Sequence, residues 1–148
     1  MKTAICFYSK HHGNTKKLLD AIQTADPEAE LIDVTKRETV DLSDFERIGF
    51  ASGIYYSSFA KPLIRFLREN LPEGKPVFFL YSSGMGSGKK FTSAITEAAR
   101  EKNAQLLGSY GCFGFDTFGP FKLLGGIRKG HPNTEELQAA VTFYKGLQ

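Results

Sequence analysis

Two adjacent histidines beside a serine and a lysine are the first residues of this sequence that suggest chemistry. They lie in the segment YSKHHGNT, residues 8–15, which follows the apolar run TAICF and precedes KKLLDAI. His11 and His12 are poor candidates for a metal site or a general base, because neighbouring loop residues do not easily reach one ligand and no acidic neighbour orients either ring. The hydroxyls and the backbone of this segment are the better candidates for binding.

The segment has the form of an anion-binding loop between a strand and a helix, with the helix beginning near Asn14 or Thr15. Backbone N–H groups at a helix start have no acceptor within the helix and lie at the positive end of its dipole. The predicted loop adds two hydroxyls and a lysine to these groups, and it comprises Ser9, Lys10, His11, His12, Gly13, Asn14 and Thr15. The alternative is that Asn14 or Thr15 only caps the helix while Gly13 only turns the chain.

Other phosphate-binding motifs are absent from the segment. It lacks the GxGxxG spacing of dinucleotide sites and the GxxxxGK[ST] pattern of nucleotide loops. A phosphatase-type cradle around the Cys6 thiolate would need an arginine at position 12, which is histidine. Cys6 and Cys112 are far apart and each lies in an apolar run, so we expect two buried thiols and no disulfide.

The length and composition of the chain suit one domain over residues 1–148, with 41% apolar and 13% aromatic residues. A basic leader, and an apolar run of the roughly 18 residues that a membrane span needs, are not found in the sequence. We therefore expect a cytoplasmic protein without an integral membrane segment. The net charge of +3 is dispersed, and no dense basic block with interleaved aromatics predicts a nucleic-acid partner.

Apolar runs alternate with segments of helical period along the chain. The runs are nearly continuous, which is typical of parallel strands covered on both faces, and they lie at Thr3–Tyr8, 31–34, 48–53, 77–81 and Gln105–Phe113. The helical stripes are residues 18, 21, 22 and 25; 59, 63, 66 and 67; 91, 94, 95 and 98; and 137, 140, 141 and 144. Asp26-Pro27 would end the first helix, and Asn133 with Glu136 would cap the last. The pattern predicts a doubly wound α/β sandwich with ligands at the carboxyl ends of its strands.

Two further loops at the carboxyl ends of predicted strands could flank a planar ring. Residues 52–58 read SGIYYSS and present two tyrosines. Residues 81–89 read YSSGMGSGK, whose alternate glycines let the backbone approach a flat ligand. The predicted ring contacts are Gly53, Ile54, Tyr55, Tyr56, Ser83, Gly84, Met85 and Gly86. A phosphate site beside a planar-ring site suggests flavin mononucleotide (FMN), and no catalytic or metal-binding side chain is assigned.

In these loops the sequence resembles the short-chain flavodoxin family. Residues 3–15 resemble its first strand and phosphate loop, ending in the family's GNT, and residues 81–89 resemble its second ring-contacting loop. The resemblance covers the chain by order of elements and is sharp only in the loops. It implies a three-layer sandwich with a five-stranded parallel sheet of order 2-1-3-4-5, FMN bound by the loops named above, and electron transfer with a redox partner protein.

The sequence departs from this family at three points. Met85 stands where many members have a tryptophan that stacks on the flavin, and this chain has no tryptophan. Tyr56 stands near a family glycine whose peptide flips to bind the reduced flavin, and tyrosine is expected to resist the positive φ of such a flip. Flavodoxins are usually acidic, which guides them to basic partners, whereas this chain is basic overall.

A segment rich in Phe and Gly, residues 111–133, follows the last predicted strand. Loops of this length are typical of lids or partner surfaces, and the alternative is an aromatic cluster packed under a covering loop. Phe115, Phe118 or Phe121 could roof the flavin or receive a small aromatic acceptor such as a quinone. A basic rim would comprise Lys122, Arg128, Lys129 and His131. Together with residues 53–67, the segment resembles the flavodoxin-like protoporphyrinogen dehydrogenases.

Three functions follow from these observations. The first is an FMN-binding electron carrier between a reductase and an acceptor. The alternatives are a flavin-dependent oxidoreductase acting on a quinone or porphyrinogen-like substrate, and a flavin-free interaction module of flavodoxin type. A flavin spectrum would exclude the module, and turnover with NAD(P)H or a quinone would distinguish the enzyme from the carrier.

Overall fold

The structure is a computed structural model that describes residues 1–9, 13–85, 88–114 and 130–147. Its strands are β1 Thr3–Tyr8, β2 Glu30–Asp33, β3 Arg47–Tyr55, β4 Ser58–Phe59, β5 Pro76–Ser83 and β6 Gln105–Phe113. Its α-helices are α1 Asn14–Ala25, α2 Lys61–Asn70, α3 Ser93–Glu101 and α4 Thr134–Lys145, and a 3₁₀ helix, Lys89–Thr92, precedes α3. The predictions for Lys10, His11, His12, Gly86 and residues 115–129 lie outside the described residues.

Parallel strands form the central sheet in the order β2-β1-β3-β5-β6. This order corresponds to 2-1-3-4-5 for the strands predicted from sequence, so the predicted doubly wound sheet is confirmed. β1 lies between β2 and β3, with Ile5 aligned to Leu31 on one side and to Gly49 on the other. The strand order reverses here, so the carboxyl ends of β1 and β3 form the switch point at which such folds bind ligands.

A short hairpin extends β3 beyond its predicted end. β4 pairs antiparallel with the last residues of β3, and Tyr56 and Ser57 form the turn between them with φ of 50° and 64°. Two positive φ values are what the tight type I′ hairpin turn requires. Phe59 therefore belongs to β4, and its prediction as part of the second helical stripe is wrong, since α2 begins at Lys61.

Helices cover both faces of the sheet, as a three-layer sandwich requires. α1 packs against α4 on one face, and α2 packs against α3 on the other. β1 is buried from Thr3 to Phe7, which explains why its apolar run is continuous. Packing within the sheet layer is close: a Cβ added to Gly49 would lie 2.4 Å from the Phe78 ring.

The predicted end of the first helix and the predicted start of the last helix are both confirmed. α1 stops at Ala25, before the Asp26-Pro27 pair. At the start of α4, the Asn133 side chain accepts a hydrogen bond from the Glu136 N–H, and the Glu136 carboxylate accepts one from the Asn133 N–H, both at 2.9 Å. In the part of the chain that the structure describes, no helix is long and apolar enough to cross a membrane.

Candidate functional site

The start of α1 has a backbone arrangement suited to an anion. Gly13 is the N-cap residue with φ 64° and ψ 27°, a left-handed conformation that glycine adopts without steric cost. Among the described residues, no side chain caps this helix. The alternative in which Asn14 or Thr15 serves as the cap is therefore wrong. The first backbone N–H groups of α1 lie at the positive end of the helix dipole, and they lack the side-chain acceptor that usually caps a helix.

The charges near this helix start are the reverse of those that stabilise an isolated helix. Negative residues normally favour the first turn, yet the first turn of α1 has no acidic residue. Lys16 and Lys17 follow directly, and Lys16 pairs with Asp20 one turn further along, at 2.5 Å. A helix start that is both uncapped and flanked by lysines is electrostatically suited to a bound anion.

Two hydroxyl-bearing residues border this helix start at low exposure. Ser9 Oγ is buried and, within the described residues, has no hydrogen-bond partner. Thr15 is 2% exposed. A buried hydroxyl without a partner costs free energy. The position of Ser9 next to the loop fits a phosphate oxygen as the partner that would remove this cost.

The carboxyl ends of β5 and β6 meet the start of α1. The Gly114 N–H donates to the Ser83 carbonyl at 3.1 Å. A Cβ added to Gly114 would lie 2.8 Å from Asn14 Nδ2 and 3.0 Å from Ser82 Cβ. The predicted phosphate loop and the predicted second ring loop are therefore neighbours, and Gly114 is the residue that lets them approach. Gly114 is not among the site residues predicted from the sequence.

The end of β3 carries the first predicted ring loop, and a buried serine holds it. The Ser52 hydroxyl donates to the Gly53 carbonyl at 2.5 Å and accepts the Ala60 N–H at 3.1 Å, which ties the hairpin to the strand. The Tyr55 ring folds back over Gly53, where an added Cβ would lie 3.4 Å from its hydroxyl. Tyr8 and Tyr55 meet edge to face, with ring centroids 5.9 Å apart. This contact joins the ends of β1 and β3 at the switch point.

Two large side chains of the predicted ring loops extend into solvent. Tyr56, at the tip of the hairpin, is 89% exposed, and Met85, after β5, is 66% exposed. Ser83 and Gly84 are buried between them and the sheet. The Met85 N–H donates to Ser83 Oγ at 3.0 Å, so the turn after β5 is held by its own serine. The exposed pair leaves apolar surface where a flat ligand would be flanked.

Tyr81 anchors the second ring loop, a role that its apolar context in the sequence did not indicate. Its hydroxyl accepts the Gly88 N–H at 3.0 Å. Its ring packs edge to face with Phe91, with centroids 5.9 Å apart. The ring also fills the space beside Gly111, where an added Cβ would lie 2.1 Å from it. Tyr81 thus fixes Gly88, at the far end of the second ring loop, to the sheet.

Known proteins resemble this chain in sequence and in fold. The model of the flavodoxin domain matches residues 5–80. An uncharacterised protein of Methanocaldococcus jannaschii is 31% identical over 148 residues, which cover 99% of this chain and 98% of that protein. The chain belongs to the flavodoxin domain family.

Two solved structures share the flavodoxin fold with this chain. A Fusobacterium nucleatum flavodoxin bound to FMN gives a TM-score of 0.65 at 16% identity, and the match covers 98% of each chain. An NADPH-quinone reductase from P. pentosaceus gives a TM-score of 0.64 at 14% identity, and the match covers 100% of each chain. At these identities the likeness is one of fold, and it does not carry either protein's activity to this chain.

The site residues of this flavodoxin domain fit a flavin with a phosphate. The uncapped, lysine-flanked start of α1 and the buried Ser9 hydroxyl suit the phosphate. The loops after β3 and β5 lie on neighbouring strands, where Gly53 aligns with Ser82, and they suit a planar ring. The described residues at the ends of β1, β3 and β5, from which these three loops leave, lie at one edge of the sheet.

The two thiols of the domain are unsuited to redox or nucleophilic chemistry. Cys6 and Cys112 are both buried. Burial raises the pKa of each thiol to about 12, so both stay protonated at neutral pH. The expectation of two core thiols is confirmed.

His131, which the sequence predicts to be part of a basic rim, is hydrogen-bonded to Glu136. Its Nδ1 forms a short hydrogen bond with Glu136 Oε1, and its ring packs edge to face with Phe113 at 5.5 Å between centroids. The other Glu136 oxygen accepts the Phe113 N–H at 3.0 Å. Burial opposes ionisation of Glu136, but the hydrogen bonds from Asn133, His131 and Phe113 outweigh it and lower its pKa. One carboxylate thereby connects the end of β6 to the start of α4.

Proposed function

We propose that this protein binds FMN at the carboxyl edge of its sheet and carries electrons between a reductase and an acceptor protein. The observation that carries the proposal is the uncapped start of α1 at Gly13, bordered by lysines and by the buried Ser9 hydroxyl. The flavodoxin-domain match over residues 5–80 supports the same site.

The residues that would hold FMN divide into a phosphate group and a ring group. The phosphate group comprises Ser9, Lys10, His11, His12, Gly13, Asn14 and Thr15. The ring group comprises Gly53, Ile54, Tyr55, Tyr56, Ser83, Gly84, Met85 and Gly86. The flavin would supply the redox chemistry, while the chain's own residues bind, orient and partly shield it.

Absorption spectroscopy tests this proposal directly. The purified protein, alone or after addition of FMN, should show bound-flavin absorbance, and FMN should quench the tyrosine fluorescence. Stepwise reduction should then bleach the bound flavin reversibly, and the reduced protein should pass its electrons to an added one-electron acceptor. A colourless protein whose tyrosine fluorescence does not change on addition of FMN would rule out the proposal.

An oxidoreductase acting on a small aromatic substrate is the second candidate. A cavity of about 550 Å³ lies beside the end of β1. Its lining includes Tyr8 and Val34 on the sheet side and Arg65 and Phe66 on α2. A quinone would fit a cavity of this size and mixed polarity. Steady-state turnover of NAD(P)H with a quinone favours this candidate, and its absence with an intact flavin spectrum favours the carrier.

A further inference from the structure

The exposed charges of the described residues differ between the two edges of the sheet. Basic residues follow the strands at the carboxyl edge, and they are Lys17, Lys36, Arg37, Lys61, Lys89 and Lys90. At the amino edge the charges are mixed: Lys2, Lys75 and Lys102 lie among Glu28, Glu30, Asp44, Glu46 and Glu73. Within the described part of the carboxyl edge, the acidic residues lie beside the two edge strands: Asp33 ends β2 and Glu38 follows it, and Glu135 and Glu136 are in the first turn of α4, next to the end of β6. The segments that directly follow β3 and β5 carry Lys61, Lys89 and Lys90 and, among their described residues, no acidic side chain.

An exposed apolar pair lies within this positive region. Tyr56 is 89% exposed and Met85 is 66% exposed, and they follow β3 and β5, which are adjacent in the sheet. We call the surface formed by Tyr56, Met85, Lys61, Lys89 and Lys90 the carboxyl-edge patch. An apolar centre beside a charged rim is the arrangement found at specific protein interfaces.

A buried aromatic cluster holds the two halves of the patch together. Phe59, at the base of the Tyr56 hairpin, lies 5.8 Å from Tyr81 between ring centroids. Tyr81 in turn contacts Phe91, and its hydroxyl accepts the Gly88 N–H. The hairpin and the 3₁₀ helix that carries Lys89 and Lys90 are thereby packed on one rigid support. The patch does not need to form on binding, which reduces the entropy that a partner would have to offset.

The lysines of the patch keep their charge available to a partner. Among the described residues, Lys61, Lys89 and Lys90 take no part in an ion pair. Lys90 Nζ lies 5.4 Å from the centre of the Phe91 ring, a contact that leaves the charge uncompensated. Lys16 differs, because it forms an ion pair with Asp20.

We propose that the carboxyl-edge patch docks an acidic redox protein. The inference rests on the proposed function, since the patch borders the candidate flavin site and would bring the partner to it. The partner presents carboxylates to Lys61, Lys89 and Lys90 and covers Tyr56 and Met85 with an apolar contact. The charges speed and orient the encounter, and the apolar contact lengthens the life of the complex.

A binding assay with an acidic two-iron ferredoxin as the probe tests the docking surface. Its Kd for this protein should rise steeply as salt increases from about 20 mM to about 300 mM, over which the Debye length falls severalfold. Lys89→Glu combined with Lys90→Glu should raise Kd at low salt by about tenfold or more. Circular dichroism should show that the double variant keeps its fold, because both side chains are exposed.

Arg100→Glu combined with Lys145→Glu is the matched control. It changes the net charge by the same amount, but both residues lie at the carboxyl-terminal ends of helices that point to the amino edge. We expect this variant to change Kd by less than about twofold. Equal weakening by the two double variants would contradict the patch, because it would mean that only net charge matters.

The apolar pair makes a separate prediction. Tyr56→Ser combined with Met85→Ser should accelerate dissociation of the ferredoxin while leaving the salt dependence of Kd unchanged. Unchanged dissociation would contradict the proposed apolar contact. Single-stranded DNA that binds as tightly, with the same loss on Lys89→Glu and Lys90→Glu, would identify a general polyanion surface and overturn the proposal.

Failure of this inference and failure of the proposed function give different results. The binding assay is run both without FMN and with FMN added, so docking is measured whether or not a flavin binds. Patch-specific docking of a protein that never binds FMN would reject the carrier function alone. FMN binding with no preference for the acidic probe over a basic cytochrome c would reject the docking surface alone.

Discussion

At the scale of single residues, the site combines a strained tyrosine with an uncapped helix start. Tyr56 has a φ of 50° and Ser57 one of 64°, a region that costs a residue with a Cβ about 1–2 kcal/mol. Positive φ is costly for tyrosine, as the sequence predicts, and the hairpin nevertheless imposes it on Tyr56. The strain lies next to the candidate ring site, as is common for functional loops.

Replacing Tyr56 by glycine should stabilise the folded protein. Relief of the left-handed strain exceeds the added chain entropy of glycine, so we expect the free energy of unfolding to rise by about 0.5–1 kcal/mol. Urea denaturation measures the change. Asn103→Gly is the control, because Asn103 also has positive φ, at 53°, but asparagine tolerates it. A loss of stability on Tyr56→Gly would show that the side chain contributes more than the strain costs.

Substitution of Thr15 should affect the binding of the flavin phosphate specifically. Thr15→Ala should weaken FMN binding by about tenfold, the value of a lost hydrogen bond to a charged group. It should leave the affinity for riboflavin, which has no phosphate, unchanged. Thr24→Ala is the control at the other end of α1, where the hydroxyl donates to the Asp20 carbonyl at 2.9 Å. His11→Ala and His12→Ala should also have little effect on FMN affinity, since the backbone N–H groups of those residues would contact the phosphate. If Thr15→Ala weakened the binding of FMN and riboflavin equally, the proposed contact of Thr15 with the phosphate would be refuted.

The start of α1 could be predicted from the sequence, whereas the hairpin in the first ring loop could not. Gly13, followed by Asn14, marks the start of α1 correctly because glycine and a change of period are strong local signals. The hairpin at Tyr56 and Ser57 has no Asn-Gly or Gly-Gly signal, so the sequence pattern places Phe59 in a helical stripe. The roles of Tyr81 and Gly114 depend on contacts between distant strands, which local patterns do not contain.

At the scale of elements, the start of α4 is joined to the end of β6 by a single carboxylate. Glu136 completes the capping box with Asn133, bonds to His131 and accepts the Phe113 N–H. The lowered pKa of Glu136 means that its ionised form stabilises the fold. This stability is present above the ordinary carboxyl pKa and is lost as pH falls through the lowered pKa of the folded state.

Glu136→Gln should therefore destabilise the protein by about 1 kcal/mol at neutral pH, and the difference from wild type should shrink in acid. Thermal unfolding at several pH values measures it. Glu135→Gln is the matched control, since Glu135 lies in the same first turn but is exposed. A difference that stays constant as the pH is lowered to the acid range would contradict the assigned role of the carboxylate.

Gly114 tests whether the contact between elements sets the shape of the site. Gly114→Ala places a Cβ 2.8 Å from Asn14 Nδ2, so it should displace the start of α1 and weaken FMN binding about tenfold, with a stability loss of about 1–3 kcal/mol. Gly146→Ala is the control, since its nearest neighbour atom would lie at 3.4 Å, an ordinary contact. Unchanged FMN affinity in a folded Gly114→Ala protein would show that Asn14 lies apart from the phosphate.

At the scale of the whole molecule, the switch point of the doubly wound sheet explains why the site lies where it does. The order β2-β1-β3-β5-β6 places the ends of β1, β3 and β5 side by side. The apolar runs predict the strands, because the central strands are buried on both faces, and the family resemblance implies their order. The distribution of exposed charge was not predictable from the net charge of +3, since it depends on which loops share an edge.

The central claim is that this edge binds a flavin through its phosphate, and the relative affinity for FMN and riboflavin tests it most directly. Titration of each ligand by quenching of its fluorescence gives the two dissociation constants in one buffer. We predict that FMN binds at least about 100-fold more tightly than riboflavin, because charged hydrogen bonds at the start of α1 act only on the phosphate. Equal affinity for the two ligands, or no binding of either, would contradict the claim.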